Sequence, residues 1–201
     1  MSLSRIKRVV WTAVKLFTVF TLLIGLAYPL AFVGVGKVFS DQAQGSLLVH
    51  DAGAKVPSGK DRVVGSRLLA QPVTKPGYFF YRPSASENGA DPQLSGASNL
   101  SPFSGELKDL ISERRRLIAQ REHVQPDMVP IDALTVSGSS LDPHISVSYA
   151  ELQIARVARE RGVDEKVIKQ TVENNTERVL NGFEDSKVVN VTALNFALDE
   201  L

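Results

Sequence analysis

The sequence contains no cysteine among its 201 residues. This absence excludes a disulfide framework, a thiolate zinc site, an iron–sulfur cluster and a cysteine nucleophile. Histidine is also scarce, and His50, His123 and His144 form no pair at helical spacing, so we expect no metal site. A phosphate-binding G-x-x-x-x-G-K-[ST] loop is missing too, since the nearest approach is Gly59-Lys60-Asp61. The chain is therefore not a P-loop ATPase.

Acidic residues are missing from the first 37 positions, although the formal net charge of the whole chain is only +1. The rest of the chain is mildly acidic as a consequence. A nucleic-acid-binding protein carries a basic footprint on its folded part. We therefore expect no nucleic-acid partner. The basic residues of the N-terminal part are Arg5, Lys7, Arg8, Lys15 and Lys37.

An uncharged run, LFTVFTLLIGLAYPLAFVGVG, occupies residues 16–36. At a rise of about 1.5 Å per residue it spans a hydrocarbon core of roughly 30 Å, so it predicts a transmembrane helix. Basic residues stay on the cytoplasmic side, which predicts a cytoplasmic N-terminus over 1–15 and an extracytoplasmic domain over 37–201. The alternative is a cleaved signal peptide, but residues 40–44 match a cleavage site poorly.

Several features of this run suit contact with another helix. Pro29 has no N–H for the carbonyl of Gly25, which in lipid needs another partner or a local distortion. Ala27 and Ala31 are small and permit close helix approach. We expect Gly25, Ala27, Pro29 and Ala31 to face a partner helix, although single-span anchors also carry such residues without any partner.

Three helices are predicted in the outer domain. Apolar residues at helical spacing predict the first over residues 105–122. Ser148 and Glu151 fit a capping box that begins the second helix, and Gly162 ends it. Asp164 can cap the third, which should run to about residue 175. The arginines expected on the solvent face of the first helix are Arg114, Arg115, Arg116 and Arg121.

Strands are predicted before and after these helices. Apolar runs suggest them at residues 46–50 and 63–71, and residues 187–195 suggest a strand or a strand leading into a short helix. Residues 74–104 are rich in Pro, Gly, Ser and Asn but contain aromatic side chains, so we expect an ordered surface loop. The fold class expected is α+β: one transmembrane helix followed by one mixed domain.

The segment TVSGSSLDPHIS, residues 135–146, is the densest cluster of chemically active side chains. Ser139, His144 and Asp142 could serve a membrane-anchored extracytoplasmic hydrolase as nucleophile, base and orienting acid. A G-x-S-x-G elbow is missing, and Asp142-Pro143 could simply form a turn. Arg82 could clamp an anion or could bond local carbonyls.

Many motifs occur in an order typical of one family, over residues 23–201. This part of the chain closely resembles the C chain of the Kdp potassium-transporting P-type ATPase. The motifs include Tyr28-Pro29-Leu30, Gly45-Ser46-Leu47, Tyr78-Phe79, Arg82-Pro83-Ser84-Ala85, Ser95-Gly96, Ser98-Asn99-Leu100, Leu141-Asp142-Pro143-His144-Ile145 and Ala197-Leu198-Asp199.

The resemblance implies a non-catalytic accessory subunit of an ATP-driven, high-affinity potassium import complex in the bacterial inner membrane. Its partners would be a potassium-conducting subunit and a catalytic P-type ATPase subunit, and potassium would be the transported ion. The Asp-Lys-Thr-Gly phosphorylation motif of the catalytic partner is absent from this sequence, which agrees with an accessory role.

The resemblance also implies that the chain stabilises the complex and acts as a chaperone that raises the ATP affinity of the catalytic subunit. No cofactor would be firmly bound, and ATP would be met only through the complex. The run Leu94, Ser95, Gly96, Ala97 and Ser98 is similar to the nucleotide-contacting LSGGQ signature of ABC transporters. However, the positive-inside rule places this run on the side away from ATP, and Ala97 stands where the signature has its second glycine.

These considerations favour a second role for the loops of the outer domain. We expect them to form an interface over the potassium-conducting subunit. The residues expected there are Arg82, Asn99, Asp142 and His144.

Overall fold

A computed structural model of the chain describes residues 3–50, 62–86, 89–179 and 187–201. Every structural statement below concerns these residues. The chain divides into two compact units, the first ending at Ser46 and the second beginning at Leu47. Each unit is described by itself.

The first unit is mainly one long helix from Leu3 to Val38, which is long and apolar enough to cross a membrane. None of its residues is buried within the unit, so its apolar surface is free to contact lipid or another helix. The helix extends beyond the predicted run 16–36 at both ends. Its parts are α1 (Leu3–Leu22), a π-helical turn (Leu23–Ala27) and α2 (Tyr28–Val38), followed by the short α3 (Ser40–Ala43).

The described residues of the second unit form two small antiparallel sheets and four helices. The first sheet pairs β1 (Leu47–His50) with β2 (Arg62–Ser66). The second has the strand order β3-β5-β4, where β3 is His144–Ser146, β4 is Thr176–Arg178 and β5 is Lys187–Asn190. The helices are α4 (Gly105–Glu122), α5 (Val147–Arg161), α6 (Glu165–Asn174) and α7 (Val191–Leu198). Single turns of 3₁₀-helix occupy Pro126–Met128 and Ile131–Ala133. The α+β prediction is confirmed.

The helix limits follow from local chemistry at each end. As predicted, Asp164 caps α6 by accepting from the Lys166 N–H, and Gly162 ends α5 in the left-handed region at φ +66°. The predicted cap at Ser148 is wrong. The cap is Ser146, which accepts from the Tyr149 N–H, because β3 ends in extended geometry at Ser146 and the chain turns there.

The core lies between α5, α6, α7 and the three-stranded sheet. Burying each large apolar side chain contributes roughly 1.5–3 kcal/mol relative to leaving it in water. The buried face of α5 includes Ala150, Ile154, Val157 and Ala158. The largest fully buried side chains elsewhere include Phe79, Leu134, Ile145, Ile168, Val189 and Leu194.

Between β2 and α4 the described residues contain neither helix nor strand. The predicted strand over 63–71 therefore stops at Ser66, while the predicted ordered loop over 74–104 is supported by the complete burial of Phe79. Asn195 accepts from the Phe79 N–H at 2.8 Å and donates to its carbonyl at 3.0 Å. Gln153 pairs with Phe80 in the same way, at 2.7 and 3.2 Å. Two side-chain amides thus satisfy backbone that would otherwise need a neighbouring strand.

Candidate functional site

Three loop segments of the second unit meet around Ser139 and Ser140. Ser140 is buried at φ +59°, and its hydroxyl accepts from the Ala85 N–H at 2.9 Å and donates to the Gly96 carbonyl at 2.6 Å. The Ser139 carbonyl accepts from the Gly96 N–H at 3.1 Å and from the Ser95 hydroxyl at 3.2 Å. This left-handed turn therefore ties the Gly/Ser loop and the Arg82-Pro83-Ser84-Ala85 motif to one place.

Three of the four predicted outer-domain interface residues are brought together beside this junction. Arg82 approaches Asp142 at 3.5 Å, and Asp142 accepts from the His144 ring nitrogen Nδ1 at 3.2 Å and from the His144 N–H at 3.0 Å. Arg82 also bonds the carbonyls of Thr135 and Val136 at 3.4 and 3.5 Å, so it serves local carbonyls as well as the carboxylate. Asn99 lies apart from these three, exposed and at φ +53°.

The pairing of His144 with Asp142 shifts both pKa values. The hydrogen bond to Asp142 raises the pKa of His144 above 6.5, and this effect outweighs the opposing effect of burial. Burial alone would raise the pKa of Asp142, but hydrogen bonds from His144 and the charge of Arg82 hold it below 3.8. Both side chains are partly exposed. At mildly acidic pH, between the two pKa values, His144 is positively charged and Asp142 is negatively charged.

The same geometry does not favour the hydrolase hypothesis. The Ser139 hydroxyl accepts from the Leu141 N–H at 3.1 Å, as in an ordinary loop turn. His144 places Nδ1 on Asp142 and Nε2 3.5 Å from the amide nitrogen of Asn190. A nucleophile must lie within hydrogen-bond reach of its base, and among the described contacts Ser139 and His144 share none.

The run Leu94, Ser95, Gly96, Ala97 and Ser98 is exposed along its length. The N–H of Gly96 is already used by the Ser139 carbonyl, and a side chain at Gly96 would meet open space. A phosphate-cradling loop keeps its backbone N–H groups free for the ligand. In this structure the run is held instead as a surface loop on the Ser139–Ser140 turn.

The residues predicted to face a partner helix lie at and just after the π-helical turn. Gly25 and Ala27 belong to the turn, while Pro29 and Ala31 lie in α2. The Tyr28 N–H bonds the Leu23 carbonyl, one residue further back than in an α-helix. Pro29 follows directly and has no N–H to continue the α-helical ladder, which accounts for the distortion.

A buried ion-pair cluster beneath the loops was not predicted from the sequence. Glu122 has a fully buried carboxylate that accepts from Arg156 at 3.0 and 3.1 Å and from Arg121 at 2.6 Å. Both guanidinium groups also lie over the ring of Phe80, at 4.2 Å for Arg121 and 4.6 Å for Arg156. Arg156 further bonds the carbonyls of Pro76 and Tyr78, so this cluster fixes the loop on α5.

Two arginines predicted to be solvated are turned inward. Arg114 donates to the Leu134 carbonyl at 2.9 Å, and Arg121 donates to the Tyr149 hydroxyl at 3.1 Å. The prediction is wrong for these two because long side chains at the edge of a helix can bend under it toward buried acceptors.

Within the described ranges, no group of three or more His, Asp or Glu side chains has an arrangement suited to a metal ion.

Most of the chain is similar to known proteins. A family model described as "KdpC: K+-transporting ATPase, c chain" matches residues 10–200. The chain is 40% identical over 189 residues to the "Potassium-transporting ATPase KdpC subunit" of Koribacter versatilis, covering 94% of this chain and 92% of that protein. It is 42% identical over 181 residues to the protein of the same name from Beijerinckia indica, covering 90% and 87%. A Mycobacterium tuberculosis protein, again of that name, is 39% identical over 197 residues, covering 97% and 100%.

Proposed function

The chain belongs to the KdpC family, and on that premise we propose that it is a non-catalytic accessory subunit of a potassium-transporting ATPase. The observation that carries the proposal is the nearly end-to-end similarity to relatives named as subunits of that ATPase. The partners proposed are a potassium-conducting subunit and a catalytic P-type ATPase subunit. Potassium is the cargo of the whole complex.

The long helix anchors the chain in the cytoplasmic membrane in this proposal. The basic residues before the apolar run hold the N-terminus inside, and the second unit then lies outside. Around the π-helical turn, Gly25, Ala27, Pro29 and Ala31 offer a small-residue surface to a partner helix. A partner would also shelter the backbone that the distortion leaves without regular α-helical bonds.

The outer domain contacts the potassium-conducting subunit through its loops. Arg82, Asp142 and His144 supply charge beside the Ser139–Ser140 turn, and Asn99 adds an exposed amide. Because the Gly96 N–H is occupied and ATP is cytoplasmic, the run Leu94–Ser98 serves this surface better than it serves a nucleotide. Any effect on the ATP affinity of the catalytic subunit would then pass through the assembled complex.

The test is affinity purification of the tagged chain from detergent-solubilised membranes of potassium-starved cells. We expect the eluate to contain a P-type ATPase subunit and to hydrolyse ATP in response to potassium. Membranes that lack this chain should lose most of that activity. Elution without partners, or activity independent of the chain, would refute the proposal.

A matched variant separates this function from the hydrolase alternative. Ser139→Ala removes the nucleophile that hydrolysis would need and leaves His144, which belongs to the proposed contact surface, unchanged. The accessory-subunit proposal expects co-elution and potassium-stimulated activity within about twofold of the unmodified chain. A hydrolytic activity of the purified chain that Ser139→Ala abolishes would favour the alternative.

A further inference from the structure

One face of α4 carries an apolar stripe that continues beyond the core on which the helix packs. Near the C-terminal end of the helix this face carries Ile118, Ala119 and Glu122, all of which are buried. Ile111 and Leu107 precede Ile118 by seven and eleven residues, so they lie on the same face. Both are only partly buried, and Ile111 packs against the edge of the core. The core therefore covers Ile111 only in part, and the apolar stripe of α4 continues past it to Leu107.

A groove of about 590 Å³ lies over this uncovered part of the stripe. At its edge the ring of Phe103 is 97% exposed. Together with the apolar side chains that line the groove, this ring extends an exposed apolar patch that a partner could bury. We call this feature the α4 groove, and its main lining residues are Pro102, Phe103, Leu107, Lys108, Ile111 and Arg115.

The charges of α4 are separated around the helix. At about 100° per residue, Lys108 and Arg115 fall within roughly 20° of each other on the groove side. The exposed acidic residues of α4 fall together in a sector of about 60°, at least about 100° away from both cations. They are Glu106, Asp109 and Glu113. Within the described part of the chain, neither Lys108 nor Arg115 has a carboxylate within 4.0 Å. The α4 groove is thus apolar and cationic, with no compensating acid of its own.

We propose that the α4 groove binds a segment of another subunit of the potassium-transporting ATPase, and that this segment combines apolar with acidic side chains. Phe103, Leu107 and Ile111 would contact its apolar part, while Lys108 and Arg115 would meet its carboxylates. A concave groove suits an inserted polypeptide, whereas a flat lipid surface would leave it unfilled. The proposal rests on the function proposed above, since it names a contact within that assembly.

Site-specific photocrosslinking tests the groove in the full chain within its own membranes. p-Benzoylphenylalanine replaces Phe103, where it preserves an aromatic ring, or replaces Asp109, which is exposed on the acidic sector of the same helix. We expect at least about fivefold more crosslinking to a partner subunit from position 103 than from position 109. The crosslinked peptide should contain Asp or Glu close to apolar residues.

Charge variants show whether the two cations matter. Lys108→Glu with Arg115→Glu should reduce the crosslink at position 103 about tenfold, because attraction to a carboxylate becomes repulsion. Lys108→Arg with Arg115→Lys keeps both charges and should leave the yield within about twofold. Both variants change solvent-accessible side chains of α4, and an unchanged tyrosine circular dichroism spectrum would verify the fold.

The outcomes separate the groove from the proposed function. If the unmodified chain co-purifies with an active ATPase but positions 103 and 109 crosslink equally, only the groove proposal is overturned. Crosslinks from position 103 to lipid alone, or to a second copy of this chain, overturn it too, as does insensitivity to the charge reversal. If the unmodified chain co-purifies with no other subunit, both proposals fail.

Discussion

Replacing Glu122 with alanine should destabilise the second unit strongly. The carboxylate is fully buried between Arg121 and Arg156, and the Arg156 side chain is only 3% exposed. Without Glu122, Arg156 would keep its bonds to backbone carbonyls but would lose the charge that compensates its own. Burial already holds the pKa of Arg156 below its ordinary value with Glu122 present. The charged form of Arg156 is therefore already less favourable than in water, and losing Glu122 would make it less favourable still.

The expected magnitude follows from that burial. Breaking a buried ion pair by removing one partner costs about 3–5 kcal/mol. Arg121 is 31% exposed and can regain water, so the larger part of the cost belongs to Arg156. At roughly 2–4 °C per kcal/mol for a domain of this size, the melting temperature should fall by about 10 °C.

The assay is thermal unfolding of the full chain in detergent, followed by near-ultraviolet circular dichroism of tyrosine. Three of the four tyrosines belong to the second unit. Glu113→Ala is the matched control, because Glu113 forms an exposed pair with Arg116 on the same helix, and we expect no measurable shift. A melting temperature for Glu122→Ala within about 2 °C of the unmodified chain would refute the assignment of this cluster as a stabilising element.

A second substitution distinguishes charge from hydrogen bonding in this cluster. Adding Arg156→Met to Glu122→Ala removes the uncompensated charge, which by itself should restore stability. It also removes the donor for the carbonyls of Pro76 and Tyr78. We therefore expect the double variant to remain several degrees below the unmodified chain. Full recovery would show that those loop carbonyls do not depend on Arg156.

Three further substitutions test other parts of the domain by the same melting assay. Phe79→Ala deletes a fully buried ring and should cost about 3–5 kcal/mol, and a loss below about 1 kcal/mol would contradict its place in the core. Gly162→Ala places a side chain at φ +66° and should cost about 1 kcal/mol, unlike an unstrained Gly→Ala change, which stabilises. His144→Gln tests a pH dependence: the raised pKa of His144 gives stability that is complete below pH 6.5 and lost as pH rises through the folded-state value. The lowered pKa of Asp142 gives stability that is present above pH 3.8 and lost in stronger acid. Between pH 6 and 8 the free energy of unfolding of the unmodified chain should therefore fall by up to about 1 kcal/mol. His144→Gln should not show this fall, and equal slopes of stability against pH for the two proteins would refute the pairing.

The predictable parts of the fold are those that local chemistry determines. The sequence predicts the first helix of the second unit over residues 105–122, where the structure has it, because its apolar spacing depends on nearby positions alone. The strand that leads into a terminal helix near residue 190 was also among the expectations and is confirmed. The cap of α5 was misplaced by two residues. Both Ser146 and Ser148 suit that role, and only the pairing of β3 with β5 decides where the extended chain ends.

The contacts that shape the candidate surface were less accessible to sequence analysis. His144 and Asp142 lie two residues apart, so their pairing could be expected from a turn. Arg82 reaches them from more than fifty residues away, and nothing in its neighbours indicates which acceptor it meets. The same limit applies to Glu122 and Arg156, since charged side chains on helices are usually solvated. Sequence periodicity predicts which face of a helix is apolar but does not predict which arginine bends beneath it.

The long loop connects the stability of the core with the surface that partners would meet. Ordering a long segment without helix or strand costs about 1–2 kcal/mol of backbone entropy per residue, which its own contacts must offset. Gln153 and Arg156 of α5 and Asn195 of α7 bond the backbone at residues 76–80. The part of the loop that follows carries Arg82 and the run 94–98. Substitutions of buried residues in α5 or α7 can therefore disturb the surface that carries Arg82 and the run 94–98 without lying on it. Loss of assembly in such variants would not show that the substituted residue contacts a partner.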